Sequence, residues 1–289
     1  MIRASGPVPV LSGRVALVTG GGRGLGRAHA IALAQAGAKV LVNDLGTTLN
    51  GSGRDGEPAA GVAAEICAMG GTAIADVHDI ASVSGGRAAV EAALDHFGRL
   101  DIVVNNAGFA HGGGTVECPN EGEFDSLMAV HVKAAMGTMS AAIPHMRSQG
   151  YGRIINTVSE VALDARSGGS LGYSAAKAAL WSITMTSASQ VAEHRITVNA
   201  ISPAARTRMS AEHLRSYGRV HDPDGGVSDL GPEHVARVVV YLSSPAAADV
   251  TGRVVHVAGR QLREYELRRT PNTELVERVS TAPAPRRQT

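Results

Sequence analysis

The 289-residue chain is 44% hydrophobic and 18% charged, with a formal net charge of +1; it can bury a sizeable core and is too apolar for disorder. So small a net charge offers no broad attraction to phosphate backbones, which excludes nucleic acid as an expected partner. Only Cys67 and Cys118 are present and the eleven histidines are scattered, so neither a disulfide framework nor a metal is expected. Residues 1–12 lack a basic start followed by an apolar stretch, and no unbroken apolar run approaches the roughly 20 residues that span a bilayer. A cytoplasmic location without membrane contact is the expectation.

From Arg14 onward, short β-branched runs alternate with alanine-rich stretches of helical period. Strands are expected at 15–19, 39–43, 72–77, 101–104, 153–157, 197–201 and 254–257, and helices at 24–36, 58–69, 85–97, 121–146, 171–193 and 232–242. Such alternation predicts an α/β fold, a doubly wound parallel sheet of about seven strands of Rossmann type. It forms a single domain over 13–260, after an extension at 1–12 and before a tail at 261–289 rich in Arg, Glu, Thr and Pro. A polar, glycine-rich loop at 45–57 is longer than the usual link between elements.

The first strand runs into Thr19-Gly20-Gly21-Gly22-Arg23-Gly24-Leu25-Gly26. Gly20 and Gly24 permit a tight turn and the approach of a pyrophosphate, and Gly26 lets the helix pack on the strand. The helix N-terminus presents free N–H groups to the anion, and Arg23 can reach a phosphate. The second strand ends at Asp44, where a carboxylate can accept hydrogen bonds from both ribose hydroxyls of an adenosine. A 2′-phosphate about 4 Å from that charge would meet a repulsion of about 4 kcal/mol at an effective dielectric near 20. NAD is therefore expected over NADP, although Arg23 pulls the other way.

Tyr173 and Lys177 stand four residues apart in the expected helix 171–193, so they share one face. A free phenol, with a pKa of about 10, is a poor base at neutral pH. An ammonium about 4 Å away would favour phenolate by about three pKa units, so Tyr173 is expected to exchange a proton with the substrate oxygen. Lys177 is expected to tune that phenol and bind the nicotinamide ribose. Ser159, just after the strand 153–157, is placed to hydrogen-bond the reacting oxygen.

Together, TGGGRGLG, Asn105-Asn106-Ala107-Gly108, Ser159, Tyr173 and Lys177 resemble the short-chain dehydrogenase/reductase family over most of the chain. The resemblance implies that Asn106, Ala107 and Gly108 line the adenosine side, that Asp79 and Ile80 hold adenine, and that Thr207 meets the nicotinamide carboxamide. It also implies a homodimer or homotetramer. His131 stands where the family more often carries an asparagine that connects the lysine to solvent through water; an imidazole can relay a proton there or merely pack. His131, the long loop after Asp44 and Pro203-Ala-Ala-Arg-Thr207 are similar to the hydroxyacyl-CoA dehydrogenase part of peroxisomal multifunctional proteins and its stand-alone bacterial relatives. That likeness implies NAD-linked interconversion of a 3-hydroxyacyl-CoA and a 3-oxoacyl-CoA. The alternatives are a steroid or polyol dehydrogenase using the same site, and a dinucleotide-bound sensor or scaffold without turnover. Substrate contacts are expected from 109–116, 162–172 and a lid at 207–231 containing Met209, Tyr217 and His221, with Arg206, Arg208 and Arg215 as candidates for CoA phosphates.

Overall fold

The computed structural model describes residues 9–48, 51–110, 112–163, 169–211 and 229–266. The expected tail after residue 266 and most of the expected lid, 212–228, lie outside these. One eight-stranded sheet runs in the order β3-β2-β1-β4-β5-β6-β7-β8. Its strands are β1 (Val15–Thr19), β2 (Lys39–Asn43), β3 (Thr72–Asp76), β4 (Ile102–Asn105), β5 (Gly152–Thr157), β6 (Ile196–Ala204), β7 (Val254–Ala258) and β8 (Gln261–Glu264). All neighbours pair in parallel except β7 and β8, which are antiparallel.

Alternation along the strands splits the core in two. Val15 and Leu17 of β1 face one layer, while Ala16 and Val18 face the other. The first layer holds α3 (Val83–Phe97), α5 (Ala134–Gln149) and α6 (Leu171–Val191); the second holds α1 (Gly24–Gln35), α2 (Glu57–Ala68) and α7 (Pro232–Ser243). Strand order reverses between β1 and its neighbours β2 and β4, which opens a crevice at the carboxyl ends of the strands.

The sheet has one strand more than the expected seven, and that strand lies beyond residue 260. At the other end, Leu11 of the expected extension is fully buried in the second layer. The expected helix 121–146 is divided: α4 (Glu121–Met128) leads into a π-helical turn, Ala129–Lys133, and then α5. Apolar spacing does not register one extra residue in a turn. The helical stretch Glu121–Gln149 is apolar and long enough by composition to cross a membrane, but 56% of that window is buried inside the fold.

Candidate active site

The glycine turn sits at the mouth of the crevice. Gly20 has φ +62°, and a Cβ there would press on the Cα of Ala107; a Cβ on Gly26 would overlap the Gly20 carbonyl. Asn106 ties the two sides together, its Nδ2 donating to the carbonyls of Thr19 and Gly20 at 3.1 Å. The backbone N–H groups of Asn106 and Ala107 donate to the Thr19 hydroxyl at 3.0 and 3.2 Å. α1 then begins without a side-chain cap or an acidic residue in its first turn. Among the described residues no side chain caps its free N–H groups, as an anion-binding helix start requires. Leu25 packs partly buried on the second core layer, and the Thr207 side chain lies within van der Waals reach of a Cβ built on Gly24. The residues present therefore fit a dinucleotide pyrophosphate.

Asp44 lies beside this turn, where sequence spacing places it. Its Oδ2 accepts the Gly22 N–H at 2.8 Å and its Oδ1 the Gly46 N–H at 2.7 Å. Two backbone donors hold the carboxylate in one orientation, leaving lone pairs on both oxygens. Arg23 turns away from the phosphate position: its Nη1 donates to the Thr47 carbonyl at 3.0 Å and its Nη2 lies 3.8 Å from Asp55. Asp79 forms an ion pair with Arg54 at 3.1 Å, and neighbouring Ile80 is buried. The loop after β2 thus folds back over the crevice edge at both ends. A Cβ on Gly51 of the same loop would touch the Phe109 ring.

On the opposite wall, Ser170 caps α6 by accepting the Tyr173 N–H at 3.3 Å. Tyr173 and Lys177 occupy successive turns of that helix, the ammonium 5.5 Å from the centre of the phenol ring. Lys177 is 3% exposed and donates to the Thr157 carbonyl at 2.6 Å. Burial pushes Lys177 down to about 7. Tyr173 is half-buried, and loss of water around its hydroxyl pushes the phenol up to about 12, against a hydrogen bond with the Ser159 side chain that lowers it.

This corrects one expectation. At the resting phenol the cost of burial dominates, and Lys177 is itself pushed toward its neutral form, so the net shift is upward and not downward as expected. The three side chains still converge.

His131 is 3% exposed within the π-helical turn. Its Nε2 hydrogen-bonds the Phe109 carbonyl at 2.8 Å, and its ring meets the Tyr173 ring edge-on, 5.5 Å between centroids. Gly108 is where this ring needs room: a Cβ there would overlap the imidazole. Nδ1 is buried and has no partner among the described residues. Burial first, and the Lys177 charge second, hold His131 well below its ordinary value despite the Phe109 bond. Sequence spacing signals neither that bond nor the Thr157 partner of Lys177, because both acceptors are backbone carbonyls.

A groove of about 460 Å³ opens beside these residues, with Val116, Val161, Ala162, Leu163 and Leu171 on its walls. No charged side chain lines it among the described residues. Residues from two of the three expected substrate segments thus meet.

The comparisons with known proteins agree with this geometry. A family model described as short chain dehydrogenase matches residues 14–217. The chain is 40% identical over 230 residues to the peroxisomal hydratase-dehydrogenase-epimerase of Saccharomyces cerevisiae, covering 80% of this chain and 24% of that protein. It thus spans about a quarter of that relative's length. Hydroxyacyl-CoA dehydrogenase ChsB1 of Mycobacterium tuberculosis is 36% identical over 261 residues, covering 87% of this chain and 79% of that protein. The crystal structure of a short chain dehydrogenase from Mycobacterium avium superposes with a TM-score of 0.77 at 38% identity, covering 94% of each chain. With a glycine turn, a serine, a tyrosine and a lysine gathered at one crevice, the chain belongs to the short-chain dehydrogenase/reductase family of oxidoreductases, which use a nicotinamide dinucleotide.

Proposed function

We propose that the protein is an NAD-dependent dehydrogenase that interconverts a secondary alcohol and a ketone, with a 3-hydroxyacyl-CoA and its 3-oxoacyl-CoA as the pair. The convergence of Ser159, Tyr173 and Lys177 carries the reading. Bound NAD supplies the hydride acceptor and a positive charge beside the phenol. The chain's own residues handle the proton. As the phenolate, Tyr173 Oη accepts it from the substrate hydroxyl during oxidation; as the phenol, it returns a proton to the ketone oxygen during reduction. Ser159 donates a hydrogen bond toward the same oxygen, where charge develops. Lys177, anchored on Thr157 and facing the phenol ring, would hold the nicotinamide ribose.

Two observations favour NAD over NADP. Asp44 is held by two backbone donors at the ribose position. Arg23 and Arg54, which flank the loop after Asp44, are engaged with Thr47, Asp55 and Asp79. A 2′-phosphate would therefore meet the carboxylate before any free cation.

Among the described residues the groove carries no charged side chain, and Val116, Val161, Ala162, Leu163 and Leu171 give it an apolar side beside Thr115, Ser170 and Ser174, which admits an acyl chain or a steroid body. The name of the Mycobacterium tuberculosis relative, a hydroxyacyl-CoA dehydrogenase, favours the acyl-CoA. The test is NAD reduction followed at 340 nm across panels of 3-hydroxyacyl-CoA, steroid alcohols and polyols. Acyl-CoA is expected to react fastest; turnover of steroids alone would replace the substrate, and no turnover of any alcohol would favour a sensor.

A further inference from the structure

β8 brings the chain back along β7, with Val255 opposite Glu264 and Ala258 opposite Gln261. All four residues of β8 are exposed, so the strand buries little by itself. What it delivers is the next residue. The Tyr265 N–H donates to the Val254 carbonyl at 3.0 Å, and its ring lies edge-on to Trp181 of α6 and His256 of β7, 5.3 and 5.8 Å between centroids. Its hydroxyl donates to Oε2 of Glu160 at 3.4 Å.

Glu160 opens the 3-10 turn Glu160–Ala162, whose preceding residue is Ser159. The turn is closed by Ala162 N–H donating to the Ser159 carbonyl at 3.1 Å and Leu163 N–H donating to that of Glu160 at 2.9 Å. Val161, Ala162 and Leu163 form one wall of the substrate groove. Ala162 and Tyr265 also pack on the same core cluster as Trp181. The ring contacts alone would be core filling; the hydroxyl reaching the turn's first side chain is not.

We infer that Tyr265 is a positioning residue: by pinning Glu160 it sets the turn that carries the Ser159 hydroxyl and the groove wall. The role given to Ser159 rests on the dehydrogenase reading, so the experiment has one arm independent of turnover. Amide hydrogen exchange of the full chain is measured for wild type, Tyr265→Phe, which removes only the hydroxyl, and Tyr265→Leu, which also removes the ring contacts. Exchange across 158–163 is expected to rise about 3- to 10-fold in Tyr265→Phe, the range corresponding to one net hydrogen bond, with the glycine turn and α6 unchanged. In the kinetic arm, kcat/KM for the best alcohol of the panel falls by a similar factor while NAD affinity by titration stays the same. Exchange at 158–163 equal to wild type in Tyr265→Phe overturns the inference, even if Tyr265→Leu raises it, as does a rise spread evenly over the molecule. If wild type turns over no alcohol, the dehydrogenase reading fails and the exchange arm still decides the contact.

Discussion

The Lys177 ammonium points its shortest hydrogen bond, 2.6 Å, at the carbonyl of Thr157. That bond fixes the head of a buried lysine one turn below Tyr173, while burial keeps the neighbouring phenol protonated at rest, near 12. Tyr173→Phe should lower turnover by about 10²- to 10⁴-fold, the usual cost of losing a general acid/base, and leave NAD affinity within twofold. Steady-state kinetics with a separate NAD titration checks it. Wild-type turnover in the variant would remove Tyr173 from the chemistry.

Asp44→Asn keeps the shape of the side chain but removes its charge. The ratio of kcat/KM for NAD over NADP should shrink about 10- to 100-fold, less than the full effect of about 4 kcal/mol expected for a bare pair at 4 Å. An unchanged ratio would mean that the ribose binds elsewhere.

The carbonyl of Phe109 only accepts, so the His131 proton sits on Nε2 and Nδ1 is left as a buried acceptor. His131→Leu should lower kcat/KM for the alcohol about 10-fold with NAD affinity unchanged, because both the Phe109 bond and the acceptor are lost. His131→Gln, which returns a donor near Phe109, should recover most of the rate. Equal losses in the two variants would show that the imidazole acts otherwise.

His29, on the core side of α1, is fully buried, and neither ring nitrogen has a partner among the described residues. Burial pushes its pKa down to about 3, below the unfolded value near 6.5. Between those values the unfolded chain binds more protons. The protein therefore keeps its full stability from this group above pH 6.5 and loses it as pH falls toward 3. By pH 4 the loss is about 3 kcal/mol. His29→Leu should flatten this stretch of the stability curve, measured as urea midpoints at pH 7 and pH 4. Lys177 acts in the other window: its lowered value makes stability rise with pH from about 7 toward the ordinary lysine range.

The alternation of strands and helices, the crevice at β1, the glycine turn, Asp44 and the Tyr173–Lys177 pair were all legible in the sequence. Each depends on residue type at a local spacing, and that is the information a sequence displays directly. The balance of charge at the site was not legible. Four residues of separation place Lys177 near Tyr173, but only the packed fold shows that both lose water and that Thr157 takes the ammonium. Arg23 likewise looks like a phosphate ligand until the loop after β2 supplies Thr47 and Asp55. β8 escaped because four exposed residues, Gln261-Leu-Arg-Glu264, have no buried face to produce a pattern. Their partner strand makes them a strand.

The five residues Ala129–Lys133 wind more widely than the helices on either side. Each residue of a regular helix advances the side-chain direction by about 100°, so one additional residue within a turn resets the angular phase between α4 and α5. Leu127 before it can then face the tyrosine helix while Ala134 and Ala135 after it face the sheet. Shortening this stretch by a single amino acid would restore uniform winding and swing one half of the rod out of step with its neighbours. In this fold, a one-residue change in length there is a change of orientation.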